Sequence, residues 1–372
     1  MRFIFYSPIA FEKWDYNNSV KQGIGGSETS HVEMAWRLAQ RGHEVITYAP
    51  IKKSTKQDWR GTKWYPIEKA NFKKAGVWII YRSPEMIEKF MPRRKSQQVW
   101  LLWQDWDYPT LTEKRAINFD RHITLCKAHG RYMLDKYPFV GKRLWLSSNG
   151  IKRELIEEIE KENITKNPKR VMYASSPDRG LKEALIIFKK AREYVPDLEF
   201  HSFYGFNNLD KLIKGKPNSP MAKNKAEIME LLKQDGVHFH GRIPQQQLYR
   251  EWFKTGIMLY CTNFFETSWI TGQEAQAMGA IPLFSPIFAQ AENAKWGIGI
   301  EGSAADSLTH ARFAAELVRL ATHPELQEKM RIDMMMWARN RFDWEVFVTQ
   351  WELEAQGKRK EFERQYVFPQ QM

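Results

Sequence analysis

Three stretches of this chain place glycine, arginine and carboxylates where a phosphorylated ligand can be held. The first is Gly23-Ile24-Gly25-Gly26-Ser27-Glu28, glycine-rich and opening directly into a helical pattern. Missing side chains let backbone N–H groups approach a phosphate, and the positive end of the following helix favours its charge. The second is Tyr173-Ala174-Ser175-Ser176-Pro177-Asp178-Arg179-Gly180-Leu181. Arg179 stands there where a guanidinium reaches a diphosphate through two parallel hydrogen bonds. The third runs from Phe264 to Pro282 and carries Glu266 and Glu274. Their spacing says little by itself, but their setting says more: Glu266 follows an apolar strand, Glu274 lies in the first turns of a helix, and Gly279 ends that helix before another buried strand. An ionised carboxylate offers two acceptor oxygens to a diol, and the N–H groups of Ser268 to Thr271 suit a phosphate at the helix start. The plainer alternatives are a tight glycine turn and a surface arginine.

The elements that must position these groups read as two similar halves. Arg2–Ser7 and Val45–Ala49 are short apolar runs ended by Pro8 and Pro50. Between them Val32, Ala35, Trp36 and Ala39 fall at helical spacing, with Ser27 read as the cap and Gly42 as the terminator. Further strands are expected at Val77–Tyr81, Val99–Trp103, Ile123–Cys126 and Leu144–Leu146, giving a first domain to about residue 165. The polar stretch 161–169, closed by Asn167-Pro168, has the composition of a linker. The pattern then restarts with strands at Val171–Ala174, Leu198–Tyr204, Val237–Phe239, Ile257–Cys261 and Ile281–Phe284, and helices at Leu181–Tyr194 and Ala226–Gln234. Helices follow at Leu308–Ala321, Glu325–Asn340 and Glu345–Gln356. Open parallel sheets bind ligands beyond the carboxyl ends of their strands, which directs attention to the loops after residues 8, 103, 174, 204 and 261.

Bulk properties narrow the class. A chain of 372 residues suits two domains, and its net charge of +13 calls for an anionic partner: nucleic acid, anionic lipid or a phosphorylated small molecule. Cys126 and Cys261 are the only cysteines, so neither a disulfide framework nor a cysteine zinc site is encoded, and a reducing cytoplasm is the expected home. No apolar run approaches the length of about 20 residues that a membrane span needs, and the start of the chain lacks a secretory cleavage site. Asp105-Trp106-Asp107 imitates a metal-binding aspartate pair, and His238 and His240 share a strand face without an evident third ligand, so no metal is expected. Two runs interleave cations with aromatics: Lys52, Lys53, Lys56, Trp59, Arg60, Lys63, Trp64 and Tyr65, then Lys89, Phe90, Met91, Arg93, Arg94 and Lys95. A solvated loop is their first reading, and docking to a membrane surface or glycan acceptor the second. The competing classes are a nucleic-acid-binding protein, for which no recognised module appears, and a dinucleotide-dependent oxidoreductase, whose third glycine is replaced by Glu28.

On these residues the chain resembles the retaining glycosyltransferases of family 4 over nearly its whole length. The likeness is carried by Gly25-Gly26-Ser27-Glu28, Arg41-Gly42-His43-Glu44-Val45, Asn149-Gly150-Ile151, Ser175-Ser176-Pro177-Asp178-Arg179-Gly180, and Glu266 through Pro282, which matches the family's E-x7-E region. It extends to chlorovirus-encoded members, which implies a host cytoplasm. The resemblance implies a GT-B fold, α/β, with two facing Rossmann-like domains and a central cleft. Residues 1–165 would form the acceptor domain and 166–342 the nucleotide-sugar donor domain, with a C-terminal helix in 343–372 packing back on the first through Phe342, Trp344, Phe347 and Trp351.

The resemblance also implies roles. Donor binding falls to Gly25, Gly26, Ser27, Ser175, Ser176, Arg179, Lys182, Thr267, Ser268, Trp269, Ile270, Thr271 and Glu274. Arg179 neutralises the leaving phosphate, Glu266 faces the donor sugar, and Glu274 accepts from the ribose hydroxyls. Two departures stand out. The family's histidine–aspartate pair is replaced by Gln104-Asp105, so that Gln104 hydrogen-bonds a sugar hydroxyl without titrating. A second phosphate-loop arginine is replaced by Ala174, leaving Arg179 alone or with Lys182. The implied catalytic set is Glu266, Arg179, Gln104 and Asp105. The implied partners are a nucleoside-diphosphate sugar, GDP-mannose before UDP-glucose, and a glycan, glycoprotein or lipid-linked acceptor, with peripheral membrane contact, no nucleic acid and no cofactor.

Overall fold

The computed structural model describes residues 1–9, 14–21, 23–52 and 59–358. Lys53 and Lys56 of the first basic run, and the tail beyond Lys358, lie outside them. Contacts divide the chain into two units: Met1–Ser19, Ile24–Gly150 and the stretch from Phe342, and then Val20–Gly23 with Ile151–Arg341.

The first unit is a parallel sheet of seven strands: β1 (Arg2–Tyr6), β2 (Glu44–Ala49), β3 (Thr62–Pro66), β4 (Gly76–Tyr81), β5 (Gln97–Leu102), β6 (Arg121–Thr124) and β7 (Leu144–Leu146), in the order β3-β2-β1-β4-β5-β6-β7. Phe3 pairs with Val45 on one side and Val77 on the other. Helices α1 (Tyr16–Lys21), α2 (Gly26–Gln40), α3 (Glu113–Ala116) and α4 (Lys127–Lys136) connect or flank the strands. The central strands are apolar without alternation because both faces are covered. α2 buries Val32, Ala35 and Leu38 along one stripe and stops at Gly42, whose φ of +83° suits only glycine comfortably.

The second unit opens with α5 (Arg153–Glu160). It continues through β8 (Asn167–Tyr173), α6 (Leu181–Arg192), β9 (Glu199–Phe203), α7 (Asn207–Ile213), α8 (Pro220–Leu231), β10 (Val237–Gly241), α9 (Gln245–Lys254), β11 (Thr255–Tyr260), α10 (Ile270–Ala277), β12 (Ile281–Phe284), α11 (Phe288–Asn293), β13 (Ile298–Gly299), α12 (Ser307–Thr322) and α13 (Pro324–Arg341). Its parallel sheet runs β10-β9-β8-β11-β12-β13, the order of the first sheet repeated without its last strand. A last helix, α14 (Trp344–Ala355), belongs to the first unit. Trp344, Phe347 and Trp351 enter that unit's core beside Trp100 and Trp145, and Arg37 and Arg41 of the α2 end pair with Glu345 at 2.8 and 2.6 Å.

Three expectations are corrected. The first unit ends at Gly150 rather than at residue 165. The polar stretch read as a linker runs into β8, and Lys166 donates its Nζ hydrogens to the carbonyls of Trp252, Thr255 and Met278 at 2.9–3.2 Å, fastening it to the second unit. The first basic–aromatic run contains an edge strand, β3, whose alternation buries Trp64 completely and leaves Lys63 outside. Likewise Phe90 of the second run is core, and Arg93 is held by Asp120 at 2.6 Å. Among the described residues no helix is long and apolar enough to cross a membrane.

Candidate functional site

In each sheet the strand order reverses next to the first strand of its unit, between β1 and β4 and between β8 and β11, and such a switch point leaves a crevice at the carboxyl ends where ligands bind. In the second unit that place is occupied by the loops carrying Ser175–Gly180 and Glu266. Pro177–Arg179 form a single 3-10 turn, closed by Gly180 at φ +112°. A Cβ on Gly180 would stand 2.2 Å from the carbonyl oxygen of Cys261, so the two loops approach this closely only because that residue has no side chain. Arg179 then reaches both carboxylate oxygens of Glu266 from Nη1, at 3.0 and 3.1 Å, and lies over the Phe264 ring. Tyr260, fully buried at the end of β11, donates its hydroxyl to Glu266 Oε1 at 2.7 Å.

Glu274 sits on α10, buried, and accepts from Gln245 Nε2 at 2.8 Å. Burial pushes its carboxyl up to about 7, against hydrogen bonds from Gln245, Tyr249 and Trp252 that pull it down. The remaining second-unit residues implied by the resemblance fall in one place, with their side chains turned differently. Trp269 caps α10 in a left-handed conformation, φ 53°, and its ring is core, against Tyr260 and Phe284. Ser268 is buried, and its carbonyl accepts from Gln273 and Asn293 at 3.0 and 2.7 Å. Thr267, Ile270 and Thr271 are half-buried, and the first N–H groups of α10 lack helical acceptors. Thus backbone, not these side chains, is what an anion would meet. The Ser175 hydroxyl lies 3.5 Å from that of Tyr260, and Ser176 Oγ donates to Asp178. Lys182, on the first turn of α6, has its Nζ paired with Glu227.

In the first unit, Gly25 is the N-cap of α2, extended at φ −62° and ψ 160°, and Gly26 is the first helical residue. A Cβ on Gly25 would meet the Glu28 carboxylate at 2.3 Å. Ser27 is not the cap expected of it; it lies inside the helix, with its hydroxyl between Arg82 Nη2 at 2.5 Å and Gln104 Oε1 at 3.2 Å. Arg82, just past β4 with φ 63°, also holds Asp105 at 2.9 Å and Glu28 at 3.5 Å. The backbone N–H groups of Gln104 and Asp105 both donate to the Tyr108 hydroxyl, at 2.7 and 3.1 Å. Asp105 is therefore an ion-pair partner, and Asp107 pairs with Lys136 at 2.8 Å. His238 and His240 stack with His201, whose Nδ1 lies 2.9 Å from His240 Nε2. Among the described residues no group of three or more His, Cys, Asp or Glu side chains is arranged to hold a metal ion.

Sequence reading missed Arg82, Tyr260 and Gln245. The strand-end rule was available for Arg82, which directly follows the expected strand Val77–Tyr81. Tyr260 and Gln245 carried no local signal, since each acts through a partner brought to it by the fold.

No family model and no curated protein matches this sequence. Solved structures do match in backbone path. A glycosyltransferase from Rickettsia africae is similar at a TM-score of 0.71 and 13% identity, over 96% of this chain and 98% of that one. Sucrose-phosphate synthase from Thermosynechococcus elongatus gives 0.68 and 13%, over 97% and 99%. Anabaena HepE, solved with UDP and glucose, gives 0.62 and 13%, over 96% and 100%. The chain has the α/β fold of the GT-B glycosyltransferases, two Rossmann-like parallel sheets with their helices.

Proposed function

We propose that this chain is a glycosyltransferase of the retaining family 4 type, moving a hexose from a nucleoside-diphosphate sugar to an acceptor hydroxyl. The observation that carries the reading is the Arg179–Glu266 pair beyond the switch point of the second sheet, with Glu274 on the helix that follows. These are a cation for a diphosphate, a carboxylate for the transferring sugar and a buried acceptor for ribose hydroxyls. In the reaction the bond between the anomeric carbon and the diphosphate oxygen breaks, a bond to the acceptor oxygen forms, and the acceptor proton and the nucleoside diphosphate leave. Arg179 exchanges Glu266 for the diphosphate and, with the first N–H groups of α10, stabilises its growing charge; such a fixed donor is typically worth about 3–4 kcal/mol. Glu266, released from Arg179 and still held by Tyr260, steadies the positive charge on the anomeric carbon. These donors take the place of a divalent metal, so transfer is expected to persist in chelator.

The donors in contention are GDP-mannose, favoured by the resemblance, and UDP-glucose, favoured by the neighbour solved with UDP and glucose. A glycan, glycoprotein or lipid-linked acceptor at an anionic cytoplasmic surface suits the charge of +13. Calorimetric titration with both nucleotide sugars, alongside release of nucleoside diphosphate, tests the reading. Glu266→Ala is expected to abolish release while nucleotide still binds, and Glu274→Ala to weaken binding first. Near-normal turnover in both variants would overturn it.

A further inference from the structure

We propose that three stacked imidazoles, His201, His238 and His240, form an acid-sensitive clasp that holds the edge strand β10 on β9 and lets it go when acid charges them. The clasp lies within the second unit and is independent of the proposed function. β10 is the outermost strand of its sheet, and none of its 5 residues is buried. His238 pairs in register with His201, and His240 follows two residues on, so the three rings share one face. They lie nearly parallel, His201 against His238 at 4.6 Å and against His240 at 5.2 Å. Phe203 extends the stack beyond His240 at 4.5 Å, and on the opposite face Phe239 leans on Phe206. An edge strand with so little buried surface depends on this stack for its hold.

The bonds that tie the clasp are ones that protons undo. His201 Nδ1 and His240 Nε2 stand 2.9 Å apart, and only one hydrogen fits between them. At least one of the two rings therefore presents a bare nitrogen and is neutral. His201 Nε2 faces a carboxylate oxygen of Glu199 at 3.5 Å. The surroundings resist even the first proton. Burial, with the positive charges of Arg170 on β8 and Lys254 on α9, holds His201 down at about 3. Burial lowers His240 as well, against the pull of Glu251 on α9. That carboxylate is already shared by Arg170 and by Lys254, the latter at 2.8 Å. Once β10 leaves β9, water reaches both imidazoles, and each takes up a proton in the ordinary range near about 6.5. Release thus takes up at least one proton, and acid drives it. β10 continues through residues 242–244 into α9, whose Gln245 bonds Glu274, so release also loosens that end of α9.

The test is hydrogen exchange of the full chain, followed peptide by peptide from about pH 7.5 to about pH 5 and corrected for the intrinsic rate at each pH. Protection of the amides of β10 is expected to fall about tenfold or more per pH unit below about 6.5, while that of β11, inside the same sheet, changes less than about threefold. His201→Phe keeps a flat ring in the stack that neither accepts a hydrogen nor takes a proton, and it should flatten the β10 profile to less than about threefold per unit. His240→Phe, at an exposed position, should leave a profile shallower than wild type, because His201 remains. If His201→Phe does not fold, the wild-type and His240→Phe profiles decide. Protection of β10 that ignores pH in the wild type, a dependence shared equally by β11, or unchanged steepness in the variants would overturn the clasp.

Discussion

The two sheets share a strand order and use an arginine at the switch point in opposite ways. Arg82, past β4, is 8% exposed in its side chain and has a fork spread over Asp105, Glu28 and Ser27. Arg179, past β8, is 36% exposed and leans on one carboxylate and one aromatic face. The first guanidinium is built into the unit. The proposed function has the second exchange its carboxylate for an incoming diphosphate. A cation becomes a ligand group when its partners are few and water reaches it, and a scaffold when they are many and buried.

Substitutions break this comparison at different strengths. The largest loss of stability is expected from Arg82→Ala, which removes a buried guanidinium from Asp105, Glu28 and Ser27 at once; unfolding in urea should show a loss of roughly 3–5 kcal/mol. Arg179→Ala should cost less stability than Arg82→Ala, because Arg179 is itself a third exposed and the buried Glu266 carboxylate it leaves keeps its bond from Tyr260. It should lower the rate of nucleoside-diphosphate release by about 10²–10³. Similar stability losses for both arginines would erase the distinction.

Gly180→Ala sharpens the picture of the second switch point. Its positive φ and the 2.2 Å approach to the Cys261 carbonyl predict a loss of about 1–3 kcal/mol by thermal or urea unfolding, with weakened nucleotide binding as the loops separate. The smallest effect is one of pH. With its carboxyl pushed up to about 7, Glu274 is protonated below that pH in the free protein, and a diol that donates to the ionised form displaces its proton. Nucleotide affinity is therefore expected to rise with pH, by up to about tenfold per unit below 7, and to level off above it. The stability contribution has the opposite sense: it is complete below the ordinary carboxylate range and is lost as pH rises through about 7. Glu274→Gln should flatten both dependences in calorimetric and unfolding titrations.

Much of this architecture is legible in the sequence where burial is two-sided. β12 is an unbroken apolar run between a helix-ending glycine and a proline, and its limits in the structure are those expected, Ile281–Phe284. β3 is illegible for the converse reason: at the sheet edge it alternates Lys63 with Trp64, so its core aromatics pass for a cationic surface patch. The E-x7-E segment and the loop of Arg179 could be located from motif and strand-end position. Their partners could not, because Tyr260 meets Glu266 only through the turn after β11, and Gln245 meets Glu274 only through the packing of α9 against α10. Gln104, where the resembled family carries a histidine, was visible at once, whereas its place beside Ser27 and Arg82 depends on the fold.

The most direct measurement is a crystal structure of the chain with the nucleoside diphosphate that binds best. Arg179 should have left Glu266 for the diphosphate, with Glu266 still on Tyr260 and Arg82 still on Ser27 and Asp105. A diphosphate bound elsewhere, with the Arg179–Glu266 pair intact, would contradict the account.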